Sequence, residues 1–243
     1  LVPGVDLNTD STPKFKEQES LVVESKNPHL EITINRCITG CLNLENADSL
    51  LIQDSIIDGL DGSAIRGPSV IIKESTILGS VSVRSVKLGS NSIFTGKVTA
   101  DRIQEGCIRF CYFPKDSKVP RQYYCQPDTA ILSAIKTELD AALAKDPGMP
   151  PQKLKDLEKE IRERLEKEIS VWLKPFFTNL RYSKPAYAQL HVLCPKEIIT
   201  GADDEAEMGV FHHLQQPQRE ANLRASLEEY LRVGLEAGIF YVT

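Results

Sequence analysis

The sequence predicts a mainly β protein: a parallel β-helix carrying an inserted α-helical hairpin and an α/β C-terminal cap. Three observations predict it. A six-residue motif recurs at intervals of about one solenoid coil, a short β-branched run precedes each copy, and after Cys125 the apolar period changes from strand-like to helical. The corresponding boundaries are 1–127 for the coils, 128–175 for the hairpin and 176–243 for the cap.

Four copies of the motif align without gaps: Arg36-Cys37-Ile38-Thr39-Gly40-Cys41, Asp54-Ser55-Ile56-Ile57-Asp58-Gly59, Glu74-Ser75-Thr76-Ile77-Leu78-Gly79 and Asn91-Ser92-Ile93-Phe94-Thr95-Gly96. A fifth, Gly106-Cys107-Ile108-Arg109-Phe110-Cys111, aligns less well, and the second positions lie 18, 20, 17 and 15 residues apart. Strand-like runs at 30–34, 50–52, 70–72 and 86–88 precede the copies. The strands of a sandwich carry no common motif, so the recurrence argues for a solenoid. One coil cannot bury its inner face alone; coils stacked about 4.8 Å apart share a continuous core and a complete hydrogen-bond ladder. The terminal glycine suits a tight corner with φ > 0. Irregular coil lengths point to a right-handed solenoid rather than the strict hexapeptide left-handed type. Leu1-Val2-Pro3-Gly4 fits the tail of a further copy, and 20–24 supplies a strand for the coil between. The chain is therefore expected to begin inside a coil, its open edge covered by upstream coils of the same protein.

Asp128 is the expected N-cap of a helix whose apolar face is Ile131, Ile135, Leu139 and Leu143. Asp146-Pro147-Gly148-Met149-Pro150-Pro151 breaks it, and a second helix presents Leu154, Leu157, Ile161, Leu165, Ile169 and Trp172. Between 128 and 170 there are 8 basic and 10 acidic residues, so the wet face carries mixed charge suited to i,i+4 pairs. The apolar stripe reads as the packing seam of an antiparallel hairpin, or as a surface for a partner helix. As a variable insert, the hairpin should be removable with the solenoid still folded. Residues 176–180 and 187–193 are strand-like, 201–209 form an acidic loop, and 217–235 read as a helix with Leu223, Leu227, Tyr230, Leu231 and Leu235 on one face. A last strand is expected at 238–242, and these final two elements are expected to cap the open end of the solenoid.

The repeat, together with Leu180-Arg181-Tyr182, Pro185-Ala186-Tyr187-Ala188-Gln189-Leu190, Phe211-His212-His213-Leu214 and Gln216-Pro217-Gln218-Arg219-Glu220-Ala221-Asn222-Leu223, resembles the C-terminal part of long, mostly uncharacterised bacterial parallel β-helix proteins. The resemblance covers most of the chain outside the hairpin. Such proteins are associated with gene clusters for phage-tail-like contractile injection particles. What the resemblance implies is a structural role in the bacterial cytoplasm, on a particle, or exported with an assembly; it assigns no residue a chemistry.

The net charge of −5 leaves no concentrated Lys/Arg surface, so nucleic acid is not an expected partner, and no apolar run reaches membrane-spanning length. Of the six cysteines, the Cys37/Cys41 and Cys107/Cys111 pairs would sit four coils apart, roughly 19 Å, too far for one tetrathiolate ion. They read as small buried residues in a turn stack and as reduced thiols. A local metal or redox site of Cys107, Cys111 and Cys125, or a disulfide among them, stays open. Arg36, Asp54, Glu74 and Asn91 share one motif position and should form a polar ladder, either solvated or, with Asp58 and Asp61, arranged as the acids of a polysaccharide lyase or hydrolase: the candidate set is Asp54, Asp58, Asp61 and Glu74. Asp203, Asp204, Glu205 and Glu207 precede His212 and His213, and His212 is expected to be a buried hydrogen-bonding residue near the C-terminal helix. No phosphate loop or nucleophile constellation is present and no cofactor is expected. The leading expectation is a non-enzymatic module that binds a partner protein or a glycan along one solenoid face.

Overall fold

A computed structural model describes residues 27, 29–60, 62–148, 150–231, 235 and 238 in full, and the backbone alone of 5–6, 14–15, 21–22 and 61. An antiparallel pair, β1 (Val5–Asp6) with β2 (Lys14–Phe15), precedes a parallel β-solenoid of about five turns. Its strands are β3 (Leu21–Val22), β4 (Glu31–Asn35), β5 (Ile38–Thr39), β6 (Leu42–Asn43), β7 (Ser49–Gln53), β8 (Ile56–Lys73), β9 (Thr76–Ser90), β10 (Ile93–Phe94), β11 (Val98–Ala100), β12 (Cys107–Arg109) and β13 (Arg121–Tyr123). Leu1 to Gly4 lie outside the described residues, while the strand expected at 20–24 is β3, paired parallel to β6.

The coils form three parallel ladders. The first runs Ile34, Ile52, Ile72, Gly89, Ile108, Gln122; the second Ile38, Ile56, Thr76, Ile93, Tyr112, Gln126; the third Leu21, Leu42, Ile65, Val81, Val98. Successive residues of a strand face opposite sides of the sheet. The second ladder is apolar on both: Ile57, Ile77 and Phe94 belong to the interior core, and Ile56, Ile93 and Tyr112 to a separate outer cluster. The paired apolar residues of the motif therefore mark a sheet covered on both faces.

The corner between the first and second ladders explains the motif's opening residues. Arg36, Asp54, Glu74, Asn91, Phe110 and Tyr124 all adopt the left-handed conformation, with φ between 47° and 51°. That conformation costs a non-glycine residue about 1–2 kcal/mol, and the next side chain offsets it. The hydroxyls of Ser55, Ser75 and Ser92 donate to the carbonyls of Gln53, Lys73 and Ser90, and accept from the backbone N–H of Cys37, Ser55 and Ser75 one coil earlier. The Cys111 thiol continues the series, donating to the Arg109 carbonyl and accepting from Ser92 N–H. Cys125 adds a sixth copy, donating to the Tyr123 carbonyl.

Two expectations about the motif are corrected. Cys111, not Cys107, holds the serine position in the fifth copy, because the left-handed corner falls at Phe110; Cys107 pairs with Leu88 in the first ladder. The last steps of the stack are thus 19 and then 14 residues. The terminal glycine serves mainly close approach. A Cβ on Gly96 would lie 2.4 Å from the Gly79 carbonyl carbon, and one on Gly59 2.8 Å from Ala64 N; of these three, Gly79 alone has φ in the left-handed range.

The hairpin is present as α1 (Asp128–Lys145) and α2 (Pro151–Trp172). Asp128 is the first helical residue rather than the cap; Gln126 Oε1 accepts from Ala130 N–H instead. Ile131, Ile135, Ile161, Leu165 and Ile169 are buried in the outer cluster with Ile56, Leu78 and Ile93, so the root of the hairpin shares a core with the solenoid. Trp172 does not join the seam: it is 49% exposed and Leu173 is buried in its place. Part of the chain after α2 packs on the solenoid's flank. Met208 and Val210 lie in the outer cluster, Val210 N–H donates to Thr76 Oγ1 and Gly209 N–H to the Asn91 carbonyl. The strands expected at 176–180 and 187–193 are reduced to isolated bridges, Phe177 with Leu190 and Asn179 with Tyr187. A short helix, α3 (Lys196–Ile199), precedes the acidic loop, and α4 (Gln216–Tyr230) buries no side chain, leaving Leu223 and Tyr230 exposed. The strand expected at 238–242 falls, beyond Gly238, outside the described residues. Among the described residues no helix is long and apolar enough to cross a membrane.

Candidate functional site

The left-handed corner delivers one outward side chain per coil, and stacking makes neighbours of residues 17 to 20 positions apart in sequence. Arg36 Nε lies 3.6 Å from Asp54 Oδ2. The Asp54 side chain is only 10% exposed, and its other oxygen, Oδ1, is buried with no hydrogen-bond partner among the described residues. The Glu74 carboxyl lies beside Asp54 on the next coil. Burial first, then the neighbouring Asp54 and Asp203 carboxyls, raise the Glu74 pKa above its ordinary value, while His212 opposes them.

The acidic loop closes over the same corner. Asn91 Nδ2 donates to Asp203 Oδ1 at 2.8 Å and Asp203 N–H returns a bond to Asn91 Oδ1 at 3.2 Å. His212 Nε2 lies 3.0 Å from Asp204 Oδ1, so His212 makes the hydrogen bond expected from sequence, although it is half-buried rather than buried. Its proximity, with the Ala206 N–H, holds the Asp204 carboxyl below the usual range against a larger opposing burial contribution. Ligand-type atoms of Asp203, Asp204 and His212 fall within 4.8 Å of one another, the one such group among the described residues. Each of its side chains is already in a hydrogen bond, and nothing in the arrangement demands an ion.

Of the candidate acids, the fold brings Asp54 and Glu74 together and diverts Asp58. Asp58 is buried on the second ladder, where it accepts Tyr187 O–H at 2.5 Å and Leu60 N–H at 2.9 Å. Burial first, then this bond, pushes the Tyr187 phenol far above its ordinary value. The Asp61 side chain lies outside the described residues. Arg36 and Asp54 also line a cavity of about 490 Å³ with Ile38, Tyr187 and Phe211.

Cys111 and Cys125 do meet on adjacent coils, with Cys107 nearby. All three are free thiols. Burial raises Cys111 and Cys125, which opposes the thiolate that metal binding or redox exchange requires. Sequence reading missed Phe110, Tyr123 and Tyr124. Phe110 stacks on Tyr124 at 5.7 Å, Tyr123 meets both edge-on, and each tyrosine is 56% exposed. The adjacent Tyr124-Cys125, 14 residues after Cys111, was the available signal. No protein-family model, curated protein or solved structure matches the chain.

Proposed function

We propose that the chain is a non-enzymatic structural and interaction module of a larger bacterial protein or phage-tail-like assembly, binding a partner protein or a glycan along the solenoid. The contact surface is the corner of the last two coils. The observation that carries this reading is the Phe110–Tyr123–Tyr124 cluster with both tyrosines exposed, since rigid aromatic side chains supply much of the energy of interfaces and of sugar stacking. The occupation of Asp58 by Tyr187 supports it, because a general acid or base needs a free oxygen facing substrate. The assembly itself rests on the sequence resemblance alone. The test is recovery of partners by the full-length protein from its native cells, beside a glycan array, for wild type and Tyr123→Ala/Tyr124→Ala. Loss of a partner or glycan in a variant of unchanged stability supports the reading; identical recovery refutes it.

A second reading, a β-helix lyase or hydrolase, draws on the neighbouring carboxyls of Asp54 and Glu74 beside Arg36, with the Glu74 pKa raised by burial and by Asp54. Release of sugar from a polysaccharide panel, abolished by Asp54→Asn, would favour it. The cysteine metal or redox reading draws on no comparable feature.

A further inference from the structure

A second cavity, of about 490 Å³, lies between the segment after Gln189 and the first turns of α4. That is within the usual size of small-ligand pockets, about 300–1,000 Å³. Leu190 and Ile199 contribute apolar wall, and four charged side chains complete it. Their pairing is unequal. Arg224 grips Glu220 at 2.9 and 2.6 Å, so those two charges cancel. The Arg219 side chain has no hydrogen bond or ion pair with a described residue. Glu207 has none either, although it is 5% exposed. A buried carboxylate without a donor is costly, and such groups are ordinarily paired. The cavity thus offers a recessed acceptor, an exposed cation at its rim, and apolar surface between.

We propose that this cavity binds a small zwitterion with apolar side chains, of the amino-acid or dipeptide type, its ammonium group donating to Glu207 and its carboxylate accepting from Arg219. The pattern selects both charges. An amine alone would leave Arg219 unused, and a carboxylate alone would meet Glu207 as a like charge. The site lies apart from the aromatic corner and does not depend on the function proposed there.

The test is calorimetric titration of the full chain with L-leucine and L-leucyl-L-leucine, beside isoamylamine and 4-methylvalerate, which carry one charge each. Saturable binding of either zwitterion with a millimolar or tighter Kd is expected. Glu207→Gln preserves the side-chain shape and should weaken it about tenfold or more, the effect of losing a charge-assisted bond. Arg219→Ala, on an exposed helix face, should weaken it by a smaller factor without altering the fold. Failure of both zwitterions to bind, undiminished binding by Glu207→Gln, or equal binding of isoamylamine would overturn the proposal.

Discussion

Replacing Glu207 with glutamine removes a buried ionisable group, and its effect on stability should depend on pH in a calculable way. Burial pushes the Glu207 carboxyl from an ordinary 4.5 to about 7. Below pH 4.5 the group is protonated in both the folded and the unfolded chain and contributes nothing to the pH dependence. As pH rises through the window, the unfolded chain ionises freely while the folded chain resists. Stability is therefore lost up to about pH 7 and then levels off. Each pH unit between the two values is about 1.4 kcal/mol, so the whole loss is about 3 kcal/mol, of which about 2.5 kcal/mol falls between pH 5 and pH 8. Glutamine keeps the shape and never ionises. The assay is urea denaturation of both proteins at pH 5, 6, 7 and 8 in buffer free of amines and amino acids. Glu74 and Asp204 titrate in both and cancel in the difference. Glu207→Gln should gain on wild type by about 2.5 kcal/mol from pH 5 to pH 8. A difference that stays constant with pH would refute the reasoning, showing that Glu207 has a partner or ready access to water.

Three further outcomes are expected. Ser75→Ala should lower stability by about 1–3 kcal/mol, since it leaves Ser55 N–H and the Lys73 carbonyl each without its side-chain partner. Ser75→Cys should cost less, because Cys111 fills the same role, and comparison of urea midpoints decides it. Tyr187→Phe should cost about 1.5–3 kcal/mol near neutral pH by depriving the buried Asp58 carboxylate of a donor, an effect that unfolding curves would miss only if water replaced the hydroxyl. Ile135→Ala should cost about 2–5 kcal/mol, and deletion of 129–170 should expose Ile56 and Ile93 to a fluorescent apolar dye; a deletion variant that unfolds at the wild-type midpoint would show the hairpin to be separable after all.

The fold class was legible in the sequence because a solenoid writes its geometry as a repeat. Every coil needs the same corner, and the Ser or Cys that ties that corner to the previous coil must recur wherever the backbone turns. The helical hairpin was legible through its period, including most of its buried face. The register of the fifth copy was not. Gly106-Cys107 and Phe110-Cys111 both fit the motif, and the choice between them rests on which backbone position turns left-handed, a property of the stacked coils. Trp172 failed for a similar reason: helical spacing places it on the seam, but the seam ends where the solenoid flank ends, and Leu173 takes its place.

The candidate sites divide in the same way. The sequence by itself put Arg36, Asp54, Glu74 and Asn91 in one column, because stacking converts equal motif positions into neighbours. It could not show that Asp203 and His212 would close over that column, nor that Tyr187 would engage Asp58 from 129 residues away. Those contacts depend on where the C-terminal segment docks, and docking is decided by the outer apolar cluster as a whole rather than by any local run. Glu207 makes the division clearest. In sequence it is one acid among Asp203, Asp204 and Glu205, and acids in such a run are ordinarily solvated. Only the packing of Met208 against Ile198 and the solenoid flank draws its neighbour out of water, and burial is a property of the folded chain that no spacing of residues encodes.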